Sequence, residues 1–98
     1  MTTKENILAQ LRLHKKQFST LGISNVGLFG SYLRNEQSEI SDIDLLIDFK
    51  PNEENFDNFM AAFDFFEAIF KNEKIEVVTK NGLSPYIGPQ ILKEVIYV

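Results

Sequence analysis

The chain of 98 residues has no cysteine and a single histidine, His14. The first absence excludes disulfides, thiolate nucleophiles and cysteine-ligated zinc, and it suits a reducing compartment. The second leaves a Ser-His-Asp triad or a multi-histidine metal site almost nothing to draw on. His14 itself reads as an ordinary helix residue. No apolar run approaches the ~20 residues that span a bilayer. The segment Met1–Glu5 opens a charged amphipathic stretch, not an apolar signal core. The expectation is a cytoplasmic protein with no membrane partner. Basic charge is also short, with 10 Lys+Arg against 14 Asp+Glu and a formal net charge of −4. That balance argues against an extensive nucleic-acid surface. Internal repeats, low-complexity stretches and linkers are missing too. Carboxylate and backbone chemistry remain, and an acidic protein can still hold a polyphosphate when a divalent cation lies between them.

Hydrophobic residues make up 44% and charged residues 24%, an ordinary globular balance. The length predicts one domain over residues 1–98, with a real core but no room for a separate substrate domain. Thr2 and Glu5 have capping-box spacing, predicting a helix to about Ser19 with Ile7, Leu8, Leu11 and Phe18 on its apolar face and Gly22 as its stop. Asn25 to Phe29 reads as a short strand that Gly30-Ser31 ends. Residues 31–40 read as a turn or two of helix and then a loop. In the strand over residues 42–49, Ile43, Leu45, Ile47 and Phe49 fall on one face, while Asp42, Asp44 and Asp48 share the other with Leu46. A helix from about Asn55 to Lys71 carries Phe56, Phe59, Phe63, Phe66 and Phe70 as one stripe, read as the bulk of the core. Ile75 to Thr79 is a third strand, turned by Asn81-Gly82. A last irregular helix starts near Ser84-Pro85 and breaks or restarts at Gly88-Pro89. The apolar ending Val95–Val98 predicts a short strand or a surface against a partner. The fold class is α+β (α/β-like), a small mixed sheet of three to four strands flanked by helices.

The connections decide which residues meet. About ten residues join the first two strands, which favours antiparallel neighbours, and about twenty-five with a helix join the second to the third, which suits a parallel crossover. Gly30, Ser31, Asp42, Asp44 and Glu76 then gather at one edge of the sheet. Asp42 and Asp44, two apart, repel each other unless a cation lies between them, and magnesium takes one or two protein carboxylates plus substrate phosphates. Gly30 permits close backbone approach to a ligand, and a helix starting near Ser31 would face its amides and hydroxyl towards an anion. The bland readings stay open beside these. Asp42, Asp44 and Asp48 also fit the solvated face of an edge strand, Glu76 fits a surface charge, and Arg34 fits an exposed or capping residue as well as a phosphate ligand.

Leu28-Phe29-Gly30-Ser31, Arg34 and Ser41-Asp42-Ile43-Asp44-Leu45 together resemble the Gly-Ser…Asp-x-Asp signature of the polymerase-beta-type nucleotidyltransferase superfamily, in its minimal nucleotidyltransferase branch, many of whose members act as antitoxins. The resemblance implies that superfamily's fold, magnesium (Mg2+) as cofactor and ATP or another nucleoside triphosphate as substrate. It assigns Gly30, Ser31, Arg34 and Ser41 to the nucleotide, and Asp42, Asp44 and Glu76 to the metal and to catalysis. It implies transfer of a nucleoside monophosphate to a hydroxyl, on a helical HEPN-type toxin partner. The alternative is a catalytically inactive antitoxin of the same fold that masks such a toxin; self-association into a homo-oligomer is open in either case. Two departures stand out. Glu76 replaces the usual aspartate, and Leu33 and Asn35 replace a small residue and a glycine around Arg34.

Overall fold

Thr3 starts the first helix, accepting a hydrogen bond from the Asn6 amide on its Oγ1 at 3.2 Å. The N-cap is therefore Thr3 with Asn6, not Thr2 with Glu5. The computed structural model describes residues 2–98. Helix α1 spans Lys4–Leu13, and the chain kinks at His14 into a short α2, Lys15–Phe18, and a 3-10 turn, Ser19–Leu21. Gly22 then stops the helical segment with φ at +77°, the left-handed conformation glycine adopts most readily. His14 bonds its own helix, Nδ1 lying 2.9 Å from the Gln10 carbonyl, and packs edge-on against Phe65.

Strand β1 (Ile23–Phe29) runs into the single helical turn α3 (Gly30–Leu33); β2 (Ile43–Phe49), α4 (Phe56–Ile69) and β3 (Ile75–Thr79) follow. A 3-10 turn, Lys80–Gly82, leads to α5 (Gly88–Glu94) and β4 (Ile96–Tyr97). The sheet order is β3-β2-β1-β4. β1 pairs antiparallel with β2 and β4, and β2 pairs parallel with β3, so the sheet is mixed and the fold α+β. The chain's last apolar residues thus form a strand on β1.

One hydrophobic cluster joins Ile7 and Leu11 of α1, Val26 and Leu28 of β1, Ile43, Leu45 and Ile47 of β2, and Ala62 and Phe66 of α4. The α4 stripe is narrower than its spacing predicts. Phe66 and Phe70 are buried and Phe59 and Phe63 partly so, but Phe56 is 76% exposed, because it opens the helix one residue past its Asn55 cap. Most of the core's fully buried side chains come from the two central strands and α1 instead. No helix among the described residues is long and apolar enough to cross a membrane.

Candidate active site

β2 is an interior strand, and Leu46, between Asp44 and Asp48, is fully buried. The solvated edge-strand reading of this face therefore does not describe it. Register fixes the rest. Asp44 lies opposite Phe29 on one side and Glu76 on the other, so the last residue of β1, a carboxylate of β2 and a carboxylate of β3 form one row. Cross-strand partners share a face of the sheet. Asp42 stands just before β2, half-buried, close enough for its charge to act on Asp44.

Gly30 continues the row. Its φ is +80°, and a Cβ built there would overlap the Asp44 carboxylate. The missing side chain faces Asp44, which makes Gly30 a condition for Asp44's position as well as for close backbone approach. Its amide points elsewhere, donating to Glu94 Oε2 at 2.8 Å. Ser31 is half-buried, and its carbonyl accepts from the Glu36 amide at 2.9 Å. α3 is only one turn long, too short to offer an anion a helix dipole.

Arg34 is held from two sides. Its Nε donates to Glu36 at 3.0 Å and its Nη1 to Glu94 at 3.0 Å, and these carboxylates, Glu36 first, raise the guanidinium pKa above its ordinary value. Asn35 takes φ +59°, a left-handed conformation that asparagine tolerates better than most residues, so it does the backbone work of the glycine it replaces. Leu33 is buried in the core cluster. Ser41 closes its own loop, its Oγ accepting from the Ser38 amide at 2.9 Å, immediately before Asp42.

The Asp44 carboxyl is pushed up to about 7, first by burial, then by a hydrogen bond and charge from Glu76 and by the charge of Asp42, with Arg34 opposing. Three acidic side chains thus crowd one place. They do not form a ready three-ligand group, since no set of three His, Cys, Asp or Glu side chains among the described residues is arranged to hold a metal ion. The longer Glu76 side chain lies beside Asp44 and helps to raise its pKa.

Sequence reasoning missed Glu36 and Glu94. Glu94 lies 64 residues from Gly30, and its signal was the apolar ending: once Ile96 pairs with Leu28, the residue before Val95 falls beside the end of β1. Between α5 and Gly30 lies a cleft of about 240 Å³, lined in part by Phe29, Ile87, Gln90 and Ile91.

A family model described as a nucleotidyltransferase domain matches residues 11–98. The chain belongs to the nucleotidyltransferase-domain family. This nucleotidyltransferase domain is 35% identical over 99 residues to the protein adenylyltransferase MntA of Thermococcus cleftensis, covering 100% of this chain and 98% of that protein. Its fold matches a solved structure described as a "putative minimal nucleotidyltransferase" with TM-score 0.81 and 26% identity, covering 97% of this chain and 95% of the other. It also matches a toxin-antitoxin crystal structure with AMP-PNP at TM-score 0.62 and 20% identity, over 98% of this chain and 72% of that one, a likeness of fold.

Proposed function

We propose that this nucleotidyltransferase domain moves the adenylyl group of ATP onto a hydroxyl of a partner protein, with magnesium held by Asp42 and Asp44. The observation that carries the reading is the row from Gly30 through Asp44 to Glu76, in which an amide-bearing turn and carboxylates from two neighbouring strands meet. Magnesium suits the donor set, because carboxylate oxygens are hard ligands and two of them, completed by phosphates, make a typical site. Burial first, and then the carboxylates of Glu76 and Asp42, raise the Asp44 carboxyl to about 7, and a cation would offset the like-charge part of that shift. When bound, the cation neutralises the triphosphate and the attacking and leaving oxygens.

The chain's own groups supply the rest. Gly30 and Ser31 bind phosphate oxygens through their amides and the serine hydroxyl, Arg34 adds a guanidinium, and the Ser38–Ser41 turn sets the approach of Asp42. Glu76 accepts the proton of the acceptor hydroxyl as that oxygen bonds to the α-phosphorus and pyrophosphate leaves. A protein acceptor is supported by the 35% identical relative named a protein adenylyltransferase. A toxin as that acceptor is supported by the toxin-antitoxin structure of the same fold, and a triphosphate by the AMP-PNP it contains; the helical HEPN type is what the resemblance to the minimal nucleotidyltransferases implies. Exposed apolar side chains near the C-terminus, Tyr86, Ile87, Leu92, Ile96 and Tyr97, suit a protein surface better than a small molecule. The working compartment is the cytoplasm.

The test is incubation with ATP labelled on its α-phosphate, magnesium and the partner. Label should appear on the partner with wild type and not with the Asp42→Asn/Asp44→Asn variant. ATP binding without transfer to a verified partner would favour the non-catalytic antitoxin.

A further inference from the structure

The Gly30 amide is already occupied. Glu94 reaches it from the end of α5, with Oε2 2.8 Å from the Gly30 nitrogen, while Arg34 Nη1 lies 3.0 Å from Oε1 and 3.1 Å from Oε2. A backbone amide and a guanidinium closing on the two oxygens of one anion is the contact pattern a phosphate group would make, with charge-assisted bonds roughly twice as strong as neutral ones. The other face of Arg34 is engaged by Glu36.

Glu94 is held in this place by the fold. Gly27 leaves room for the chain end to close on β1, since a Cβ there would lie 3.1 Å from the Ile96 carbonyl oxygen and run into the Val95 side chain. Ile96 pairs with Leu28 and Tyr97 with Gly27, and the Val95 amide still bonds the Ile91 carbonyl at 2.9 Å. Glu94 is thereby pinned between a helix end and a strand, its side chain only 20% exposed.

We propose that the Glu94 carboxylate is an internal stand-in for phosphate, and that the triphosphate gains Gly30 and Arg34 by displacing it. The inference rests on the reading that Gly30 and Arg34 receive a triphosphate. A carboxylate and a phosphate cannot share the same donors, and their like charges repel at that separation. Glu94 therefore lowers nucleotide affinity, opposite to the effect of a residue that holds Arg34 ready for the ligand.

Calorimetric titration of the full chain with ATP and magnesium separates the two. Glu94→Gln keeps the shape and an oxygen for the Gly30 amide but loses the charge, and it should bind ATP about tenfold more tightly than wild type. Glu94→Asp, one methylene short of Gly30, should also bind more tightly, by about threefold, and it serves if the glutamine variant does not fold. In 15N-labelled wild type, ATP should shift the Gly30 amide resonance, and Glu94→Gln should shift it before any ligand is added. Wild type binding ATP with folded variants that bind equally or more weakly overturns the inference and leaves the proposed function standing. No ATP binding by wild type or by either variant overturns both. Binding by a variant alone supports the inference in its strongest form.

Discussion

At Gly30 the backbone conformation and a neighbouring strand both depend on one missing methyl group. The positive φ alone costs a non-glycine residue ~1–2 kcal/mol, and the Asp44 carboxylate must also move aside. Gly30→Ala should therefore lower the melting temperature by roughly 5–15 °C, at ~4–8 °C per kcal/mol for a domain this small. Circular dichroism melts check it, and titration with ATP should show affinity lost in the fraction that remains folded. Asp44 gives a prediction with a definite pH window. Its pKa rises from an ordinary 3.8 to about 7, chiefly through burial and then through Glu76. Between those values the folded chain keeps a proton that the unfolded chain releases, so stability falls as pH rises from about 4 to about 7. Asp44→Asn removes that loss. Because the group is half-buried, solvent screening trims the effect to ~1 kcal/mol. Melts at pH 4 should match wild type, while at pH 8 the variant should melt several degrees higher in the absence of divalent cations. Equal melting temperatures at pH 8 would show that Asp44 is not strained by its neighbours.

Among the elements, α4 is the sharpest case of what spacing does and does not reveal. Its phenylalanines recur with helical period, and the helix is there, but periodicity does not say where along the stripe the sheet ends. Phe66 is fully buried and Phe56 is 76% exposed. Phe66→Ala should cost ~3–5 kcal/mol, whereas Phe56→Ala should stay within ~0.5 kcal/mol of wild type; urea unfolding of the two variants checks both values. The strands were read more closely than the helices. β3 has the predicted bounds Ile75–Thr79, β2 begins one residue late at Ile43, and β1 begins two residues early at Ile23. Alternation of apolar side chains reports a strand directly, while helix ends depend on caps that several nearby residues satisfy equally well. Thr3 rather than Thr2 caps α1, and the break at His14 has no glycine or proline to announce it. Around Arg34, Asn35 departs from the expected glycine in name but not in conformation, because its φ is +59°.

Across the whole molecule, connection length alone was enough to orient the first three strands, and with them the row from Gly30 to Asp44 to Glu76. The short link between β1 and β2 has no room for a crossover, and the helix-bearing link from β2 to β3 requires one. Glu94 escaped because a charged residue on a short terminal helix says nothing about its target until β4 is paired with β1. The site as a whole holds Asp42, Asp44 and Glu76 near one guanidinium already held by Glu36 and Glu94, in a chain of net charge −4. Such a place has little affinity for a bare triphosphate, so nucleotide binding should require a divalent cation, and calorimetry with excess chelator should show it abolished. Transfer asks more than binding. An acceptor hydroxyl must lose its proton to a carboxylate within hydrogen-bond reach. Glu76 is the exposed member of the row, on the edge strand, where an incoming partner can approach it. Glu76→Gln keeps the length of the side chain but cannot take a proton, and it should leave ATP affinity within about threefold of wild type while reducing transfer to the partner by ~100-fold or more. Glu76→Asp retains the carboxylate and should keep transfer measurable. The two variants are compared in one assay, with labelled ATP and the partner at saturating concentration, so that docking is not limiting. If Glu76→Gln transfers as fast as wild type, Glu76 serves only to shape Asp44 and the proton leaves by another route. If neither wild type nor Glu76→Asp transfers label while both bind ATP and the partner, the domain works by occupying its partner's surface.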